Sequence, residues 1–135
     1  MLQPVNMRVL IAENHRDLSD VMVQLIDCEP DMRCVGQVED ACEVIDRARE
    51  SHADALVLDL MLRGGNGMSL IEELAALMPR LKIIVFSGLS NDELARESVK
   101  RGAHAFVVKG CDFSVLLDHL RGGPPAPSQA VRASL

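Results

Sequence analysis

Glu13 and Asn14 follow the apolar run Val9-Leu10-Ile11-Ala12, and Asp59 follows a second run, Ala55-Leu56-Val57-Leu58. Short apolar runs that end on polar residues read as strands covered on both faces, the pattern of a parallel sheet flanked by helices. In open sheets of that kind the ligand site lies beyond the carboxyl ends of the strands. Oxygen atoms gathered there suit a hard cation such as Mg²⁺, and a carboxylate in the same place can act as a nucleophile. Two more polar residues close apolar runs: Ser87 after Ile84-Val85-Phe86, and Lys109 after Phe106-Val107-Val108. Taken singly, each has an ordinary reading. Asp59 would be a loop residue or helix cap, Lys109 a surface charge, Ser87 turn chemistry and Phe106 core. Only their joint arrival at one sheet edge argues for chemistry.

The elements that must position them alternate along the chain. Arg8 to Ala12 predicts a first strand, and Leu18, Val21, Met22, Leu25 and Ile26 recur at helical spacing toward Glu29-Pro30. Cys34 to Val38 predicts a second strand, followed by a helical stripe of Ala41, Val44, Ile45 and Ala48. The third strand, Ala55 to Asp59, leads through the loop Arg63-Gly64-Gly65-Asn66-Gly67 into a helix carrying Leu70, Ile71, Leu74, Leu77 and Met78 on one face. That helix should stop before Pro79, with Lys82 to Phe86 as the fourth strand. Ser90-Asn91-Asp92-Glu93 fits a capping box for the next helix, which presents Leu94, Ala95, Ser98 and Val99 inward and ends at Gly102. Ala105 to Val108 is the fifth strand, and Asp112 caps a last helix that cannot pass Gly122-Gly123-Pro124-Pro125. The order is (βα)₅. Right-handed crossovers then give an α/β, doubly wound five-stranded parallel sheet of flavodoxin type, order 2-1-3-4-5, whose switch point lies between the strands that end at Glu13 and Asp59.

Composition narrows the classes of function. A chain of 135 residues fits one domain, and 48% hydrophobic with 25% charged residues matches a globular protein. No segment has the roughly 20 consecutive apolar residues of a membrane span, and Met1 to Arg8 does not read as a secretory signal, so a cytoplasmic location is expected. Cys28, Cys34, Cys42 and Cys111 show no CxxC spacing and read as reduced core thiols. A net charge of −6 disfavours direct binding to a nucleic-acid backbone, which rests largely on Lys and Arg. The first turn, Glu13-Asn14-His15-Arg16, is acidic and bulky, and Gly64-Gly65-Asn66-Gly67 lacks the Lys-Ser/Thr step of a phosphate-binding loop, so nucleotide binding is disfavoured too. His15 adjoins the acidic pair, where it is a minority candidate to line the pocket, while His52, His104 and His119 read as solvated or helix-end residues. The methionines are scattered, as expected of core fillers.

Four segments together carry a family resemblance: Arg8-Val-Leu-Ile-Ala-Glu-Asn14, Leu56-Val-Leu-Asp-Leu-Met-Leu-Arg-Gly-Gly-Asn-Gly67, Ile83-Ile-Val-Phe-Ser-Gly88 and Gly102-Ala-His-Ala-Phe-Val-Val-Lys-Gly110. In their order and placement at strand ends they strongly resemble a CheY-like response-regulator receiver domain of bacterial two-component signalling. The resemblance covers about residues 8 to 121. It implies that Asp59 accepts a phosphoryl group from a phosphohistidine of a sensor histidine kinase or phosphotransfer protein. It further implies Mg²⁺ held by Glu13, Asn14, Asp59 and the Met61 carbonyl, Lys109 pairing first with Asp59 and then with phosphate, and Ser87 and Phe106 as the switch pair. The output face would be the fourth helix, fifth strand and fifth helix, residues 91–121, open to partners or to a second copy as a homodimer.

The sequence departs from the family pattern in places. Asn14 stands where a second acidic metal ligand is usual, which predicts weak Mg²⁺ affinity rather than none; Glu13 replaces an Asp, and Arg63 and Gly110 replace prolines. A pseudo-receiver, an interaction module not regulated by phosphorylation, is therefore the alternative expectation. Domain limits of 1–121, with 122–135 as a Gly/Pro-rich linker or disordered tail, complete the sequence reading.

Overall fold

The structure, a computed structural model, describes residues 6–89 and 91–122. Five strands and five helices alternate: β1 (Met7–Ala12), α1 (Arg16–Asp27), β2 (Met32–Val38), α2 (Ala41–Glu50), β3 (Ala55–Leu58), α3 (Gly67–Leu77), β4 (Lys82–Ser87), α4 (Asp92–Arg101), β5 (Ala105–Val108) and α5 (Phe113–Arg121). The strands are all parallel and form one sheet in the order β2-β1-β3-β4-β5. This is the expected doubly wound arrangement.

Alternation along each strand divides the core in two. Leu10, Ala12, Leu56, Leu58, Ile83, Val85 and Phe106 point to the face covered by α2, α3 and α4, meeting Val44, Ile71, Leu74 and Ala95. Val9, Ile11, Val57, Ile84 and Val107 point to the other face, against Met22 and Ile26 of α1 and Leu116 and Leu120 of α5. Two-sided burial is why these strands read as continuous apolar runs.

Local chemistry ends each element. The Asn66 side chain caps α3 by accepting from the Met68 N–H at 2.9 Å, and Met78 leaves helical geometry immediately before Pro79. The Asp112 side chain caps α5 at 3.0 Å from the Ser114 N–H, a bond that also holds its carboxyl below the usual range. The cap of α4 is Asn91, accepting from the Leu94 N–H at 3.0 Å, rather than a Ser90–Glu93 box; Ser90 lies outside the described residues. The expected tail lies outside them too, apart from Gly122.

Several burial expectations are corrected. Val21, Leu25 and Leu77 are exposed although they share the apolar faces of α1 and α3. Val21 and Leu25 sit one residue before Met22 and Ile26, which point into the core, and a step of about 100° turns them toward solvent; Leu77 lies at the last position of α3. Cys28 and Cys42 are exposed and Cys111 half-buried, while half-buried Cys34 packs only against the rim of the core on the α1 and α5 side. Branched aliphatic side chains hold the central strand positions, leaving the cysteines to helix ends, an edge strand and a loop. Met61 is exposed as well. His104 is not solvated: its Nδ1 accepts from the Ile83 N–H at 3.2 Å, and burial, with Lys82 nearby, lowers its pKa. No helix among the described residues is long and apolar enough to cross a membrane.

Gly67 explains the fixed spacing between Asp59 and the start of α3. A Cβ there would lie 2.8 Å from the Leu60 Cα and 2.9 Å from its carbonyl oxygen, both backbone atoms that cannot swing aside. Gly67→Ala is expected to lower unfolding free energy by about 1–3 kcal/mol in urea denaturation. An unchanged midpoint would contradict close packing at this point.

Candidate functional site

β1 and β3 are hydrogen-bonded neighbours with Ala12 beside Leu58, so Glu13 and Asp59 leave the sheet side by side. The main chain extends the alignment by one residue, the Asp59 N–H donating to the Ala12 carbonyl at 2.9 Å and the Glu13 N–H to the Val38 carbonyl at 3.0 Å. Both acids are closed off from solvent, at 1% and 2% exposure. An ionised carboxylate withdrawn from water in this way is tolerated only when paired and hydrogen-bonded.

Lys109 supplies the pairing. It follows β5, two strands from β3, and its N–H donates to the Ser87 carbonyl at 2.7 Å. From there its stem carries Nζ to 2.9 Å from Glu13 Oε1 and 3.2 Å from Asp59 Oδ2. One ammonium therefore serves two carboxylates, and the trio retains one net negative charge. Main-chain donors take further lone pairs: Met61 N–H to Asp59 Oδ1 at 2.9 Å, Asn14 N–H to Asp59 Oδ2 at 3.4 Å, and His15 N–H to Glu13 Oε2 at 2.9 Å. Among the described residues no buried side-chain polar atom lacks a partner.

Above the acids lies an open depression of about 790 Å³, lined among others by Asn14, His15, Asp59, Met61, Leu89 and Lys109. Ser87, fully buried, stands beside it with Oγ accepting from the Leu89 N–H at 3.1 Å. Phe106 lies apart from the depression, buried in the core on the α3 and α4 side of the sheet. The peptide after Lys109 is trans, and Gly110 has a φ of +101° with open space where a Cβ would be.

The fold thus gathers Glu13, Asn14, Asp59, Met61, Ser87 and Lys109 at one edge, as expected, with Phe106 behind them. His15, only a minority candidate from sequence, also lines the depression. The His15 ring turns back so that Nδ1 lies 3.2 Å from Glu13 Oε2, and nitrogen and carboxylate oxygens of Glu13, His15 and Asp59 all fall within 4.8 Å of one another. The signal available in the sequence was its position, one residue past the acidic pair and immediately before α1.

Fold and site together define a receiver-type signalling domain. The family profile of the response regulator receiver domain matches residues 9–121, and the chain belongs to that family. It is 30% identical over 112 residues to the nitrate/nitrite response regulator protein NarL of Escherichia coli, covering 83% of this chain and 52% of that one. It is 28% identical over 102 residues to the DNA-binding transcriptional activator DevR/DosR of Mycobacterium tuberculosis, covering 76% of this chain and 47% of the relative. The chain thus spans about half the length of the curated relatives it matches. Among solved structures, a LuxR-family two-component response regulator from Aurantimonas superposes with a TM-score of 0.82 at 22% identity, over 94% of this chain and 96% of that one. The isolated receiver domain of RcsB from Salmonella enterica superposes with a TM-score of 0.81 at 24% identity, over 95% and 98%.

Removing the ammonium leaves two buried like charges facing each other. Lys109→Met is expected to lower stability by roughly 3 kcal/mol in denaturant titrations without divalent cations. A midpoint equal to that of the wild type would show that Lys109 does not carry this neutralisation.

Proposed function

We propose that Asp59 is a phosphoacceptor and that this domain works as a cytoplasmic phosphoswitch served by a sensor histidine kinase or phosphotransfer protein. The observation that carries the reading is the pairing of a buried carboxylate, reachable from an open depression, with an ammonium that can follow charge onto a phosphoryl group. Phosphoryl transfer asks the protein for alignment and for neutralisation of charge more than for covalent help. An Asp59 oxygen forms the new P–O bond while the P–N bond to the donor imidazole breaks, the electron pair returning to that ring. Met61 N–H on Oδ1 fixes the rotation of the carboxylate, and Lys109 lies against Oδ2. After transfer, Lys109 can pair with a phosphoryl oxygen instead.

The donor set at this edge suits a hard divalent cation, since two buried carboxylates lie close together and the amide oxygen of Asn14 and the carbonyl of Met61 belong to the adjoining loops. Glu13, Asp59, Asn14 and the Met61 carbonyl are the groups that would hold Mg²⁺. When bound, the ion neutralises charge on the transferring oxygens.

Ser87 is the proposed sensor. Its Oγ accepts from Leu89, leaving the hydroxyl proton to donate toward an acyl phosphate and draw the loop after β4 inward. Phe106 couples that loop to the output face of α4, β5 and α5, where a partner or a second copy would dock. Arg101 ties α4 to α3 through Glu72 at 2.9 Å, a contact that any shift of α4 must break or carry along.

One observation favours the pseudo-receiver alternative. Asn14 meets Asp59 through its main-chain N–H, and its neutral side chain brings no second charge to the metal edge. Intact mass after incubation with acetyl phosphate and Mg²⁺ decides between the readings. One added phosphoryl group on the wild type and none on Asp59→Ala is the expected result. An unmodified wild type under conditions that modify Asn14→Asp would favour the pseudo-receiver.

A further inference from the structure

We propose that His15 is a nitrogen ligand of the cation site and that the site therefore takes a borderline transition ion, of the Ni²⁺ or Zn²⁺ class, in preference to Mg²⁺. The inference rests on the cation site of the preceding reading and assigns it a ligand from outside the expected oxygen set.

His15 occupies the N-cap position of α1, yet its side chain makes no cap hydrogen bond. Its main-chain N–H is held on Glu13 Oε2, which fixes the Cα above the acids, and the ring folds over the same oxygen with Nδ1 at 3.2 Å. Those ligand atoms and an Asp59 oxygen lie within 4.8 Å of one another, so small side-chain rotations bring all three to one ion. The histidine side chain is 71% exposed, which leaves a path from solvent to the acids beneath.

Charge and donor type then point the same way. Two carboxylates and one ammonium leave a single net negative charge, and Asn14 adds none. Mg²⁺ dehydrates reluctantly and draws on charged oxygen ligands, so with Asn14 in place of a second acid the oxygen set holds it only weakly. A neutral imidazole adds no charge but is a strong ligand for Ni²⁺ and Zn²⁺, which bind mixed nitrogen and oxygen sets.

Isothermal titration calorimetry with Ni²⁺ and with Mg²⁺ tests this on the wild type, His15→Ala and His15→Asp, with circular dichroism to check the fold. His15→Ala should weaken Ni²⁺ binding at least about tenfold more than it weakens Mg²⁺ binding, on the scale known for disturbing a metal's ligand shells. His15→Asp should move the preference toward Mg²⁺. Equal losses for the two ions, or Ni²⁺ affinity untouched in His15→Ala, would overturn the assignment. A phosphoryl adduct on the wild type alongside untouched Ni²⁺ affinity would overturn this inference alone. A selective Ni²⁺ loss in a protein that acetyl phosphate never modifies would uphold it and overturn the phosphoacceptor role.

Discussion

A single ammonium set between two buried carboxylates is the constraint on which the site depends. Like charges about 4 Å apart repel by about 4 kcal/mol at an effective dielectric of about 20, and each acid also loses hydration on burial. Lys109 offsets both effects while remaining only partly buried itself, at 18% exposure. The arrangement is held short of full neutralisation, with one net negative charge left at the edge. Asp59 could be neither buried nor available without this partner.

The constraint reaches back through the whole sheet. Glu13 and Asp59 meet because β1 and β3 are neighbours at the point where the chain reverses its direction of travel across the sheet. Lys109 has to cross from the end of β5, and its main-chain bond to the Ser87 carbonyl sets the distance it must span. Gly67 lets α3 start hard against Leu60, which holds the loop after Asp59 close enough for Met61 to donate to its carboxylate. The core on both faces fixes these strand ends, so geometry at the site is inherited from packing some distance below it.

Much of this was legible in the sequence because parallel strands buried on both faces leave an unambiguous mark, an apolar run closed by a polar residue. The runs ending at Glu13, Asp59, Ser87 and Lys109 gave the strand ends, and crossover handedness gave their order. What was not legible depended on side-chain direction. Val21 and Leu25 belong to an apolar stripe by spacing, yet each lies one helical step off the line of Met22 and Ile26 that meets the sheet, and both stay exposed. Cysteine is commonly buried, but here the interior was already filled by branched aliphatic residues, and Cys28 and Cys42 fell at exposed helix ends. The turn of the exposed His15 ring toward Glu13 is a matter of rotamer and main-chain anchoring, which spacing does not encode. The capping residue of α4 slipped by one position for a similar reason, since Ser90 and Asn91 are both good caps and only the backbone decides between them.

In the proposed switch, charge arriving at Asp59 is felt by Lys109 and Ser87 and passed to α4. Backbone amide NMR spectra recorded with Mg²⁺, before and after addition of beryllofluoride as a phosphoryl mimic, test it most directly. The amides of Ser87, Leu89 and Lys109 are expected to shift together with those of α4 and β5, at the same mimic concentration. Shifts confined to Asp59 and its immediate neighbours, with α4 and β5 unmoved, would contradict it.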